Sequence, residues 1–322
     1  METRTFGSTG LEVSVLGFGG APIGFLEAEQ RQVTALLNTL LDEGVNLLDT
    51  AMLYMGSEEL IGKAVSHRRD EFVLVTKCVN PMDPSPAAWS ADAVAQAVDQ
   101  ALVRLRTDHL DVMLLHSCGL DTLEQGDALG ALVRARQAGK IRFAGYSGDN
   151  ETLAYAAALP DVAVIETSLN ICDQANLASG LPKAKERELG VIAKRPLANA
   201  AWKDLSEQQG MYTDYAKPYT DRFAAMGLTP ADLGFEGAPP RDLARDCPAV
   251  HTVAARRAHR HHWDNQRGSR KGKPPGSGQR TTPAGRAGQD PRGLPAGRDR
   301  VGSAVGRRDL TEGALRPRAE TE

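Results

Sequence analysis

The 322-residue chain is poor in aromatic side chains, which make up 5% of it, and it holds only four cysteines, Cys78, Cys118, Cys172 and Cys247. Those cysteines share no close spacing, so no disulfide framework is predicted. Cys247 with His259, His261 and His262 fits no zinc-ligand spacing, and no metal is expected. Charged residues interrupt every apolar run before it reaches the ~18 residues that a membrane-spanning helix requires. No charged start followed by a long apolar run is present, so the thiols are expected to be reduced and the protein cytoplasmic. A G-x-G-x-x-G turn is missing as well. Gly17-Phe18-Gly19-Gly20, after the first apolar strand, has the wrong spacing, which argues against a Rossmann dinucleotide site.

Charge is distributed unevenly. Residues 256–322 hold 16 basic and 7 acidic side chains, a net of +9, whereas the rest of the chain carries a net of −12. Those last 67 residues contain no Ile, Phe, Tyr, Met or Cys, but 11 Gly and 6 Pro. Such a segment buries too little apolar surface to offset the entropy of ordering it, so a disordered basic tail is predicted beyond a folded part at 1–255. A tail of this kind touches nucleic acid only through phosphate charge, and no interleaved aromatics support that use.

The folded part alternates short β-branched or Leu-rich runs with longer helical patterns, the rhythm of repeated βα units. Thr3–Phe6 and Leu11–Ser14 around a Gly-Ser-Thr-Gly turn read as a hairpin. Seven strands are predicted at Val15–Gly19, Asn46–Thr50, Phe72–Lys77, Leu110–His116, Ile141–Tyr146, Val162–Thr167 and Val191–Lys194. Helices are predicted near 29–43, 57–66, 90–105, 122–138, 150–158 and 177–189, with another after residue 219. The fold class is therefore α/β, a (β/α)8 TIM barrel with an N-terminal β-hairpin, in which Pro248–Val253 is the one candidate for the eighth strand.

Working residues of such a barrel gather at the C-terminal ends of its strands. Asp49 ends the second strand, Tyr54 follows it, Lys77 ends the third and His116 ends the fourth. Taken singly, each has an ordinary reading: a helix cap, a packed ring, a rim charge, a satisfied histidine. Together, Leu47-Leu48-Asp49-Thr50-Ala51-x-x-Tyr54-x-x-Ser57-Glu58, Val75-Thr76-Lys77 and Asp111-x-x-Leu114-Leu115-His116 resemble the aldo-keto reductase family. The resemblance continues through Gly139–Ser147 and Val191–Leu197, and reaches about residue 230.

That resemblance implies reversible, NAD(P)H-dependent reduction of a small-molecule aldehyde or ketone, with NADP preferred to NAD. It makes Tyr54 the general acid, tuned by Lys77 and Asp49, and gives His116 the carbonyl oxygen. The nicotinamide carboxamide would meet Ser147, Asn150, Glu166 and Asn170, and the pyrophosphate Arg195, Pro196, Leu197 and Asn199. Trp202 resembles a substrate-loop aromatic. Glu166 stands where the family usually has Gln; a carboxylate accepts hydrogen bonds but donates none. The family's Gly-Thr/Ser turn and Arg/Asn helix after strand eight are replaced by His251–Arg257 and Asp264-Asn265, leaving Arg256, Arg257, Arg260 and Lys271 as phosphate candidates. A frame-shifted gene is the simplest source of the tail. The competing reading is a barrel that binds cofactor or a partner protein and turns over poorly because its last βα unit is lost.

Overall fold

The computed structural model describes residues 1–79, 83, 85–203, 205–208 and 212–227. Seven parallel strands form one sheet in strictly sequential order: β3 (Gly17–Gly19), β4 (Leu47–Asp49), β5 (Val73–Cys78), β6 (Leu110–His116), β7 (Ile141–Ser147), β8 (Val164–Ser168) and β9 (Gly190–Lys194). Ahead of it lies the antiparallel hairpin β1 (Thr3–Thr5) and β2 (Glu12–Ser14), with Thr3 opposite Ser14. The connections carry α1 (Ala21–Phe25), α2 (Gln30–Asp42), α3 (Ser57–Val65), α4 (Ala91–Leu105), α5 (Leu120–Gln125), α6 (Asp127–Gln137), α7 (Asn150–Ala158) and α8 (Gly180–Glu186), and α9 (Tyr212–Met226) follows β9. Among the described residues no strand joins β9 back to β3; the Pro248–Val253 candidate lies outside them.

Successive strand side chains point to opposite faces, and the sequence uses that alternation to separate two cores. Leu48, Leu74, Met113, Leu115, Ile165 and Val191 face outward and pack beneath the helices, against Leu37, Ile61, Val98 and Leu132. Leu47, Val73, Val75, Val112, Leu114, Val164 and Ile192 face inward and join Phe6, Leu11 and Val13 of the hairpin region. The hairpin therefore closes the inner core at one end and leaves the strands' C-terminal ends for chemistry. Phe6 lies so close to Gly190 that a Cβ at residue 190 would stand 2.7 Å from its ring.

The expected 122–138 helix is two helices. Gly126 takes φ 79°, and its N–H bonds Thr122 O, ending α5 before α6 begins. Ser90 belongs to α4 as its cap, its Oγ accepting from Ala93 N. The 177–189 helix shortens to α8 because Ala175–Leu177 forms a separate 3-10 turn. Helix α1 was not expected. Helix α9 is longer than the sequence suggested, since Pro218 inside it hides the pattern.

Candidate active site at the mouth of the barrel

Continue the inward rows by two residues and they end in polar groups. Leu47 leads to Asp49, Val75 to Lys77, Leu114 to His116, Gly145 to Ser147, Val164 to Glu166 and Ile192 to Lys194. Six strand ends thus aim one polar side chain each at the same place. Asp49, Lys77, His116, Ser147 and Glu166 are all buried.

Lys77 is the hub. Its Nζ donates to Asp49 Oδ1 at 2.6 Å and to Thr50 O at 2.9 Å, and stands 3.1 Å from Glu166 Oε2. It also lies 5.2 Å from the centroid of the Tyr54 ring. Burial opposes the ammonium, but the Asp49 and Glu166 charges outweigh it and hold Lys77 protonated above the usual lysine range. Burial pushes the Tyr54 phenol up; Lys77 opposes this, while Asp49 and Glu166 reinforce it. His116 meets Tyr54 edge to face, with centroids 6.1 Å apart. Burial, then the Lys77 charge, lowers its pKa to about 3, so the imidazole is neutral. Its Nδ1 is buried with no partner among the described residues.

Local structure holds Tyr54 in place. The Tyr54 N–H bonds Ala51 O, and its carbonyl accepts from Ser57 N at 2.7 Å. Ser57 Oγ ties the same turn to Gly20 O and lies 2.8 Å from Thr50 Oγ1. Gly24 of α1 lies against the Tyr54 carbonyl, where a Cβ would overlap it.

The other expected site residues are only partly brought together. Asn170 uses Oδ1 to accept from Cys172 N and Asp173 N and leaves Nδ2 buried without a partner among the described residues. Ser147 Oγ receives Lys194 Nζ at 3.4 Å. Asn150, by contrast, is exposed at the start of α7, and its backbone N–H, bonded to Asn176 Oδ1, makes its hydrogen bond. Arg195 donates to Ser168 Oγ, Tyr215 OH and Tyr219 OH, joining β8, β9 and α9. Pro196, Leu197 and Asn199 follow, half-buried; Arg195, Ala198, Asn199 and Ala200 all have φ between 46° and 57°. Four such non-glycine residues concentrate backbone strain beside the mouth. Trp202 is half-buried, with Nε1 unpartnered among the described residues.

Two groups were missed. Lys194 is the second lysine of the mouth, partly buried, with Asp149 Oδ2 3.8 Å away, and burial lowers its pKa. Asp149 accepts from Thr167 Oγ1, Ser168 N and Asn176 Nδ2, fastening the β7 and β8 ends. The two-residue step from Ile192 would have found Lys194; Asp149 lies beyond its strand and leaves no such signal.

The sequence profile of the Aldo/keto reductase family matches residues 15–224. The chain belongs to that family. L-galactose dehydrogenase of Arabidopsis thaliana is 30% identical over 212 residues, 62% of this chain and 66% of that protein. Pyridoxal 4-dehydrogenase of Microbacterium luteolum is 27% identical over 237 residues, 59% and 69% of the two chains. The chain thus spans about two thirds of the length of these curated relatives. An aldo-keto reductase from Bacillus halodurans, solved in its holo form, superposes with a TM-score of 0.61 at 27% identity, covering 79% of this chain and 84% of its own. The parallel sheet is accordingly that of a (β/α)8 aldo/keto reductase barrel. Within it, the unpartnered Asn170 Nδ2 and the Ser147 hydroxyl are suited to holding an amide-bearing ring.

Proposed function

We propose that this barrel reduces an aldehyde or ketone to an alcohol, reversibly, with a nicotinamide cofactor, NADP(H) ahead of NAD(H), and with Tyr54 as the general acid. The observation that carries this reading is the convergence of Tyr54, Lys77, Asp49 and His116 at one buried mouth. Both curated relatives above bear dehydrogenase names, which supports an oxidoreductase.

A bound nicotinamide supplies or accepts the hydride. The residues of the chain do the rest. Neutral His116 donates a hydrogen bond to the substrate oxygen and polarises the carbonyl. Tyr54 delivers the proton to that oxygen as negative charge develops there. Lys77 offsets part of the burial that makes the phenol a poor donor, and Asp49 fixes the Lys77 ammonium. Ser147 and Asn170 hold the carboxamide, with Glu166 beside it; Arg195, Pro196, Leu197 and Asn199 border the pyrophosphate.

The test is NADPH oxidation by the purified chain with a panel of aldehydes, ketones and quinones. Turnover with at least one carbonyl class is expected. Tight NADPH binding with no turnover across the panel would favour a cofactor- or partner-binding barrel instead.

A further inference from the structure

Lys77 is a single ammonium facing two buried carboxylates. Asp49 and Glu166 are 4% and 2% exposed, and Lys77 itself 1%. Asp49 takes the 2.6 Å hydrogen bond. Glu166 shares the same ammonium, its buried Oε2 3.1 Å from Lys77 Nζ. Two buried carboxylates around one cation repel each other, and binding one proton relieves that repulsion.

The surrounding groups leave that proton to the pair. Asp149, beyond β7, is answered by Lys194 at 3.8 Å and Arg195 at 3.9 Å. Arg195 is further tied to Tyr215 and Tyr219 of α9. His116 of β6 is neutral, and Tyr54 keeps its proton. Lys194 of β9 acts on Glu166 only at longer range.

We propose that Glu166 is a positioning residue that shares the Lys77 ammonium with Asp49, so that the carboxylate pair holds one exchangeable proton and places carbonyl reduction under pH control. The proposal rests on the reductase reading above. Burial, then the Glu166 charge, pushes Asp49 up to about 7 despite Lys77. Burial works to raise Glu166 too, but Lys77 and Lys194 outweigh it and hold it low. The two carboxyls titrate as a coupled pair, and the later of the two protons is the one they share.

With the shared proton in place, Lys77 faces one negative charge and its field still favours proton release from Tyr54. Once the proton is lost, two carboxylates over-neutralise Lys77 and the phenol holds its proton more firmly. Reduction therefore slows as pH rises through about 7. Gln at 166 cannot carry the second charge, so the slowing should disappear. A carboxyl whose folded pKa exceeds its unfolded value also loses its stabilising contribution as pH rises through that window, here from 3.8 towards about 7.

The experiment compares the full 322-residue chain with Glu166→Gln, reading Tm from pH 5 to 8 and kcat/KM for reduction from pH 6 to 8. The original chain should lose about 3 °C more than the variant across the Tm range. Its kcat/KM should fall about tenfold, against less than about twofold in Glu166→Gln. Parallel Tm curves and parallel rate profiles overturn the proposal. If no carbonyl in the panel is reduced, the reductase reading falls, and the Tm curves alone decide whether the pair shares a proton. Should Glu166→Gln fail to fold, Glu166→Met removes the same charge at similar volume, and a folded Met variant with the original pH slope is equally decisive against the idea.

Discussion

Tyr54 is a reluctant proton donor in this barrel: burial raises its pKa, and among its charged neighbours Lys77 pulls that pKa down while Asp49 and Glu166 raise it. In the proposed mechanism its phenol acts in concert with charge developing on the substrate oxygen. Tyr54→Phe should keep cofactor affinity and lower single-turnover carbonyl reduction by at least about a hundredfold; an undiminished rate would remove Tyr54 from the chemistry. His116, with its pKa lowered to about 3, acts in the proposed mechanism as a neutral donor, so no acid limb near pH 6.5 should come from it. His116→Leu should cost about 10²–10³ in kcat, as for an oxyanion donor, without changing the shape of the pH profile; a changed shape would mean that the imidazole titrates. Lys77 can lose one carboxylate and keep the other. Asp49→Asn should accordingly cost well below the roughly 3–5 kcal/mol of a broken buried pair, approaching that range only with Glu166→Gln, a non-additivity readable by a double-mutant denaturation cycle. The convergence of Asp49, Tyr54, Lys77 and His116 at one mouth was legible because each lies at or just after the end of a short apolar strand, within a recognisable motif. The ion pair of Glu166 with Lys77 was not, since the two lie 89 positions apart in the chain and meet across the barrel lumen.

At the scale of elements, all seven described barrel strands and the hairpin overlap segments read from the pattern of apolar runs and turns, because inward and outward rows are both apolar and bounded by turn residues. The failures share a cause, local turn chemistry overriding periodicity: Gly126 splits a helix, the Ala175–Leu177 turn shortens another, and Pro218 masks the length of α9. Helix α1, five residues long, is too short for a periodic signal. It is nonetheless the element that backs the Tyr54 turn, through the close approach of Gly24. Gly24→Ala would force that turn to move by the width of a methyl group. The expected result is a folded barrel with ordinary cofactor affinity and kcat lowered by about tenfold or more, as displacement of a proton donor requires. Unchanged kcat with a lowered Tm would show that α1 serves packing alone.

For the whole molecule, closure of the barrel wall decides stability and cofactor binding. Strands β3 and β9 end the described sheet, and a closed (β/α)8 wall needs one more strand and helix between them. Such a unit requires apolar alternation followed by a helix with an apolar face, and residues 256–322 contain three Leu, two Val and no Ile or Phe. The family resemblance also stops near residue 230, short of the turn and Arg/Asn helix expected to hold the adenosine end of the cofactor. We therefore expect low overall stability and weak NADPH binding. Trypsin, offered 16 basic residues beyond 255, should remove the tail while leaving NADPH affinity unchanged. A frame-shifted gene predicts more: another reading frame of the same DNA should encode a Gly-Thr/Ser turn followed by a helix bearing Arg and Asn, and the restored chain should bind NADPH more tightly and melt higher. If no frame encodes that segment, the frameshift explanation is wrong. If the 322-residue chain also survives trypsin to its last residue and binds NADPH tightly, the tail is part of the working protein, and its basic residues rather than a family-type helix hold the cofactor's phosphate.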